Sequence, residues 1–180
     1  MAVKTFGSEI LTSGDVNTYL ANSGLVYVKS QTVGSGVSSV QVTGAFSSDY
    51  DAYKIVYTSG VASTSNTLGL RLGSTTTGYN GWVVYGTSTS NTVNGLALNN
   101  GNGFTYAGAG TGSNTFLAVE LIGPYQPKNT MFSNTSPIGT VYGNMAAMLS
   151  NTTSYTDFTI YTDAGTITGG TIIVYGYRKP

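Results

Sequence analysis

Residues 67–73 read TLGLRLG, and this stretch decides the fold class of the chain. Three leucines alternate strictly with threonine, glycine and arginine, so every second side chain is apolar. A period of two places the apolar side chains on one face of a β-strand that is buried on that face alone. The same alternation recurs at Val40 and Val42, and again at Tyr53, Ile55 and Tyr57.

Outward from this stretch, the chain reads as a series of strands separated by turns. Clusters of Gly, Asn, Ser and Thr interrupt the apolar pattern at intervals of roughly ten residues, which is typical of sandwiches and barrels and not of βαβ units. We therefore predict an all-β, antiparallel β-sandwich. Strands are expected at residues 25–31, 39–43, 53–57, 67–73, 80–86, 103–107, 115–122, 139–148, 155–161 and 166–178. Segments 87–94 and 108–114 are expected to be exposed loops.

Residues 1–23 differ from the rest and are predicted to form a docking segment ahead of a β-sandwich domain at 24–180. Thr12 and Asp15 have the spacing of a capping box, which predicts a short helix over residues 13–22. A helix of this length is marginal alone, so it must dock on its own sandwich or on a neighbouring subunit. The predicted docking side chains are Leu11, Val16, Tyr19 and Leu20.

Charge is scarce and balanced in this chain. Only 8% of the residues are charged, and seven basic residues offset seven acidic ones. Because phosphate binding requires a basic patch, we expect no nucleic-acid partner. A monomer with so few charges is prone to self-association. We therefore expect much of the surface to face identical copies or a larger assembly, with a Thr-rich soluble monomer as the alternative.

The absence of Cys and His excludes most catalytic mechanisms. Neither a Ser-His-Asp triad, nor a thiol nucleophile, nor an ordinary zinc site can be built. Among the carboxylates, Asp49 and Asp51 have a spacing that suits a catalytic pair or a calcium site, but Asp before a strand is an ordinary turn residue. We predict a non-enzyme without metal or cofactor.

Two strands, Phe116–Gly123 and Thr171–Tyr177, are apolar on both faces. One face can fill the core and the other can meet a neighbouring subunit, unless loops cover it. Glu120 interrupts the second face of the first strand, and a buried carboxylate requires a partner. Arg71, Lys54 and Lys128 are the candidate partners, and solvation is the alternative. The predicted interface residues are Phe116, Glu120, Ile173 and Tyr175.

Tyr79, Trp82 and Tyr85 cluster in the stretch GYNGWVVYG. Exposed aromatic rings beside Asn can stack on sugars, so these three are the candidate glycan contacts. The alternative is that they pack at cross-strand positions, as most tyrosines in β-sandwiches do.

No apolar stretch is long enough to cross a bilayer, so no membrane insertion is expected. The N-terminal sequence lacks the apolar core of a secretory signal, which favours assembly in the cytoplasm.

The stretch FGSEILTSGDVNTYLANSGLVYV, residues 6–28, resembles an N-terminal module of the form LT..DVNTYL.N in minor structural, fibre-like and head-decoration proteins of tailed bacteriophages. The closing GTIIVYGYRKP, residues 170–180, is similar to the last strand of small phage β-sandwiches that end in YGY. Gly14 departs from the Ala expected in the module's helix. The matching residues are Leu11, Thr12, Asp15, Val16, Asn17, Thr18, Tyr19, Leu20 and Asn22.

This resemblance implies a virion component with a β-sandwich or jelly-roll fold, homotrimeric and anchored by its N-terminal segment. It implies capsid decoration or a tail fibre as the role, and other virion proteins as partners. It carries over no catalytic residues. The alternative function is a receptor-binding module that recognises host surface glycans.

Overall fold

The computed structural model describes residues 24–138 and 141–179 and is all-β over these residues, with no helix among them. The helix predicted at 13–22 lies outside the described residues, as do Leu11, Val16, Tyr19 and Leu20. The thirteen strands belong to one hydrogen-bonded network, and all the pairings within it are antiparallel. Their bounds are β1 Leu25–Thr32, β2 Ser39–Val42, β3 Tyr50–Ala62, β4 Asn66–Leu72, β5 Tyr79–Thr87, β6 Val93–Gly101, β7 Phe104–Gly110, β8 Thr115–Ile122, β9 Thr130–Ile138, β10 Val141–Leu149, β11 Phe158–Thr162, β12 Ile167–Thr168 and β13 Thr171–Arg178.

Each of the ten strands predicted from the sequence overlaps an observed strand, and the stretch TLGLRLG contains most of β4. The prediction over 166–178 corresponds to two strands, β12 and β13, separated by Gly169 and Gly170. Two strands were not predicted, β6 and β9. The loop expected at 108–114 is wrong in its first half, because Gly108–Gly110 end β7 and are buried. The loop expected at 87–94 is present and exposed over residues 88–92, while Thr87 belongs to β5, and Val93 and Asn94 belong to β6.

The network forks at β8. One side of β8 pairs with β3, while its other side pairs first with β7 and then, from Val119 onward, with β9. Two sheets diverge from β8. The long sheet has the order β1-β13-β3-β8-β9-β10-β5-β6, and the short sheet has the order β2-β11-β4-β7. The last four strands of the long sheet, β9, β10, β5 and β6, are called the wing below.

The inward faces of the two sheets share one hydrophobic core. Leu68, Leu70 and Leu72 of the short sheet are fully buried, as the alternation in TLGLRLG predicts. Phe46 joins the two sheets, because its ring lies 4.8 Å from that of Tyr53 and 5.6 Å from that of Phe158. Burial of each large apolar side chain contributes about 1.5–3 kcal/mol, so this shared core is the main source of stability.

The glycine in the middle of TLGLRLG is required by the neighbouring strand. Tyr161 of β11 pairs with Gly69 across the strands, and its ring occupies the space where a Cβ on Gly69 would lie. The Arg71 guanidinium covers the same ring, 4.7 Å from its centroid. One aromatic ring and one cation therefore cover Gly69 on the outward face of the short sheet.

The wing is attached to the rest of the domain by an aromatic cluster at the fork. Phe104 of β7 lies edge-on to Tyr79 at 4.8 Å and stacks on Phe132 at 4.3 Å. The Tyr79 hydroxyl accepts a hydrogen bond from the Leu72 N–H at 2.9 Å and donates one to the Thr75 carbonyl oxygen. Burial raises the pKa of Tyr79 far above its usual range, so the phenol stays protonated and keeps these bonds.

Candidate functional site

The candidate site is the outward side of the long sheet, called the outer face below. Antiparallel register aligns one residue of each strand in a row that crosses the whole sheet. Two tyrosines begin this row, a lysine and a glutamate follow them, and two small residues separate the glutamate from a tryptophan that lies next to the last residue of the row. In order from β1 to β6 the row is Tyr27, Tyr175, Lys54, Glu120, Ser133, Ala146, Trp82 and Ala97.

The structure brings the four predicted interface residues of the β-domain together on this outer face. Phe116 and Glu120 point outward from β8, while Ile173 and Tyr175 point outward from β13 two strands away. The opposite faces of both strands are buried in the core, as expected for two-sided apolar strands. Their role in docking remains a prediction.

Glu120 has a different partner from those the sequence suggested. The Tyr177 hydroxyl of β13 donates a hydrogen bond of 2.5 Å to the Glu120 carboxylate. Lys54 lies directly opposite Glu120 in the register, whereas Arg71 belongs to the short sheet and donates to the Asn102 carbonyl. The bond to Glu120, with a smaller contribution from burial, raises the pKa of Tyr177 to about 12.

This pair gives a prediction about pH. Because the Tyr177 pKa is higher in the folded than in the unfolded chain, the pair's stabilisation is complete below about pH 10 and disappears as the pH rises through about 12. Glu120→Gln is expected to lower the Tyr177 pKa towards 10, as measured by NMR titration of its ring. Asp163→Asn is the control, because Asp163 bonds the Thr67 N–H elsewhere. An unchanged Tyr177 pKa in Glu120→Gln would contradict the assignment.

The three aromatic residues considered for glycan contact do not form one surface cluster. Residues 79–87 are a single strand, so Tyr79 and Tyr85 point towards the core side while Trp82 points outward. Tyr79 is fully buried and Tyr85 is half-buried, whereas Trp82 is 60% exposed. Of the three, Trp82 alone lies on the outer face.

Several outer-face residues were missed by the sequence reasoning. Trp82 is flanked there by further exposed apolar side chains, and Ile122 and Tyr142 are each more than half exposed. A shallow groove of ≈ 600 Å³ runs along the wing beside Trp82 and Met131. The exposed apolar residues on this side are Leu25, Tyr27, Trp82, Val84, Val93, Ile122, Met131 and Tyr142.

The carboxylates considered for catalysis or calcium have protein partners. Asp51 pairs with the Lys179 ammonium at 2.9 Å and accepts a hydrogen bond from the Gln126 amide. The bond to Lys179, above all, holds the pKa of Asp51 below its usual range. Asp49 accepts a hydrogen bond from the Ser47 hydroxyl. Within residues 24–138 and 141–179, no group of three or more acidic side chains is close enough to hold a metal ion.

The described part of the chain contains no helix of sufficient length and apolarity to span a bilayer. Comparison of the chain with protein-family models, curated proteins and solved structures yields no match in any of the three.

Proposed function

We propose that this protein is a structural component of a bacteriophage virion, of the capsid-decoration or tail-fibre type, displayed on the particle surface. Copies assemble as a homotrimer through the outer face, and residues 1–23 anchor the assembly to other virion proteins. The observation that carries this proposal is the outer face itself, which presents apolar side chains to solvent on strands whose other face already fills the core.

The pairing pattern supports a jelly-roll fold for the domain. Without the wing and the two-residue β12, eight strands remain, which are β1, β2, β3, β4, β7, β8, β11 and β13. They pair first with last, second with seventh, third with sixth and fourth with fifth. This nested order is that of a long hairpin rolled into two sheets, an arrangement used by viral capsid and lectin domains. The wing then consists of two hairpins, β5–β6 and β9–β10, inserted after the fourth and sixth of these strands.

The chemistry of the outer face supports burial against other copies. Aromatic and aliphatic side chains are enriched at interface cores, where charged residues are depleted. Tyr27 and Tyr175 meet edge-to-face at 6.5 Å, and Ile173 lies beside them on β13. Exposed apolar patches of this extent on a soluble domain mark interaction sites.

The position of β1 supports the proposed anchor. The strand begins at Leu25 on the edge of the long sheet, and the Arg178 N–H donates to the Gly24 carbonyl there. Residues 1–23 therefore join the domain at one end of the proposed interface. The glycan-receptor alternative has weaker support, because Tyr79 and Tyr85 do not share a face with Trp82.

Ile173→Lys tests the proposal. An unpaired charge buried in an interface costs about 3–5 kcal/mol, so association through the outer face should weaken 100-fold or more. Light scattering of the purified protein at micromolar concentration should give the mass of three chains or a multiple of it for the wild type, and a smaller mass for the variant. Thr159→Lys on the outward side of the short sheet is the control and should leave the mass unchanged. A wild-type protein that is monomeric at this concentration would overturn the proposal.

A further inference from the structure

Strand β6 forms an open edge of the long sheet. Over the residues that the structure describes, Val93–Gly101 pairs with β5 on one side and with no strand on the other. Its nine residues are almost all exposed. The backbone N–H and C=O groups along the open side are a row of donors and acceptors whose natural complement is another extended chain.

The other edges of the two sheets carry features that discourage such pairing. Strand β1 has a register shift between Tyr27 and Lys29, and the Lys29 ammonium extends from it to the Thr43 carbonyl at 2.6 Å. Strand β2 is only four residues long. Bulges, lysines and short length are the usual means by which edge strands avoid pairing with other chains. Strand β6 has neither Lys nor Pro, and its register shift lies at one end, between Tyr79 and Gly81 of its partner.

Charge is absent from the whole wing. None of the 36 residues of β5, β6, β9 and β10, counted as four strands of nine, is Asp, Glu, Lys or Arg. A charged partner would find no complement here, whereas two identical wings can approach without like-charge repulsion. Val93 is 72% exposed on the outer face, and Leu96 is exposed on the opposite face. An added strand would therefore gain apolar contacts on both sides of the sheet.

We propose that β6 pairs antiparallel with β6 of a second copy, so that two long sheets join edge to edge across a twofold axis. An isologous contact requires a self-complementary surface, and an uncharged strand flanked by its own apolar side chains meets that requirement. An antiparallel contact continues the alternating strand direction that is found across the rest of the sheet. This contact is separate from the proposed trimer interface on the outer face, and it would link one trimer to the next.

Leu96→Lys tests this pairing, because Leu96 is exposed near the middle of β6 on the face opposite the proposed trimer interface, and a lysine there places two like charges close to the axis. In sedimentation experiments on the full chain, the variant is expected to weaken the β6 contact at least tenfold and to leave the threefold assembly. Ser39→Lys, exposed on edge strand β2 of the short sheet, is the matched control and should not change the mass. If Leu96→Lys associates as the wild type does, the proposed pairing is wrong.

A cysteine scan identifies the occupant of the edge, since the natural chain contains no Cys. Single variants from Asn94→Cys to Asn99→Cys should give disulfide-linked dimers under mild oxidation, with a maximum at one position and a decline on both sides. This profile arises because only residues at the twofold axis face their own copies. No dimer at any position would mean that something else covers the edge, such as residues 1–23, and would overturn the proposal. Crosslinked dimers from a wild-type chain that forms no trimer would instead contradict the trimer interface alone and leave the β6 pairing in place.

Discussion

Phe104→Ala is expected to lower the free energy of unfolding by about 3–5 kcal/mol, the usual cost of removing a buried aromatic ring. Phe104 is fully buried and contacts two aromatic rings of the wing, Tyr79 on β5 and Phe132 on β9. Its loss leaves a cavity where the short sheet meets the wing, and the edge-to-face and stacked contacts disappear with it. Urea denaturation measures the change, with the midpoint shifting and the slope unchanged.

Tyr142→Ala is the control for this prediction. The Tyr142 ring belongs to the same wing but is 55% exposed, so its removal should cost less than about 1 kcal/mol. Hydrogen exchange adds a second measurement, because Phe104→Ala should reduce amide protection in β5 and β10 before it affects β3 and β13. Equal costs for the two variants would mean that Phe104 does not join the wing to the core.

The sequence predicts well those strands that are buried on one face. Leu68, Leu70 and Leu72 alternate with polar or small residues because the core lies on one side and solvent on the other. The same physics predicts that Ile173 and Tyr175 share one face of their strand. The strands that lie beside that face could not be predicted. Strand β3 lies between β13 and β8 in the sheet, although it is distant from both in the chain.

Strands β6 and β9 were missed because their patterns are interrupted for physical reasons. In strand β6 only Leu98 packs against the core, so little selects alternation along the strand, and its Asn and Gly residues read as turn signals. In β9, Asn134 occupies a core position that would ordinarily be apolar. Its side-chain amide is satisfied there, donating to the Tyr106 carbonyl at 2.5 Å and accepting from the Met145 N–H at 3.0 Å.

The three aromatic residues do not form one surface cluster because alternate residues of a β-strand point to opposite faces of the sheet. Tyr79 and Tyr85 are six residues apart and share a face, while Trp82, three residues from each, must point the other way. The spacing alone would have separated them, had the strand been known to begin at Tyr79. The separation matters for function, because a single exposed indole beside aliphatic side chains favours protein contact over a sugar platform.

Gly108→Val is expected to destabilise the domain by about 3 kcal/mol, at the upper end of the cost of overpacking. Gly108 lies in β7 against β8, where an added Cβ would stand 2.5 Å from the Phe116 carbonyl oxygen and 2.7 Å from the Leu117 Cβ. Backbone atoms cannot move aside as a flexible side chain can, so β7 must separate from β8 near the hairpin. Thermal unfolding should show the loss as a drop of roughly 6–12 °C, at about 2–4 °C per kcal/mol for a chain of this size.

Gly112→Val is the matched control, four residues along in the turn that joins the same two strands. The nearest atom to a Cβ there is the Ala62 carbonyl oxygen at 3.9 Å, which is ordinary contact, so the expected change is within about 0.5 kcal/mol. The sequence assigned both glycines to one exposed loop, and on that assignment the two variants would behave alike. A large difference between them would establish that β7 extends to Gly110 and that the short sheet joins the fork there. Equal and small effects would mean that Gly108 lies in an exposed loop. The pairing of β7 with β8, on which the two-sheet arrangement depends, would then be wrong.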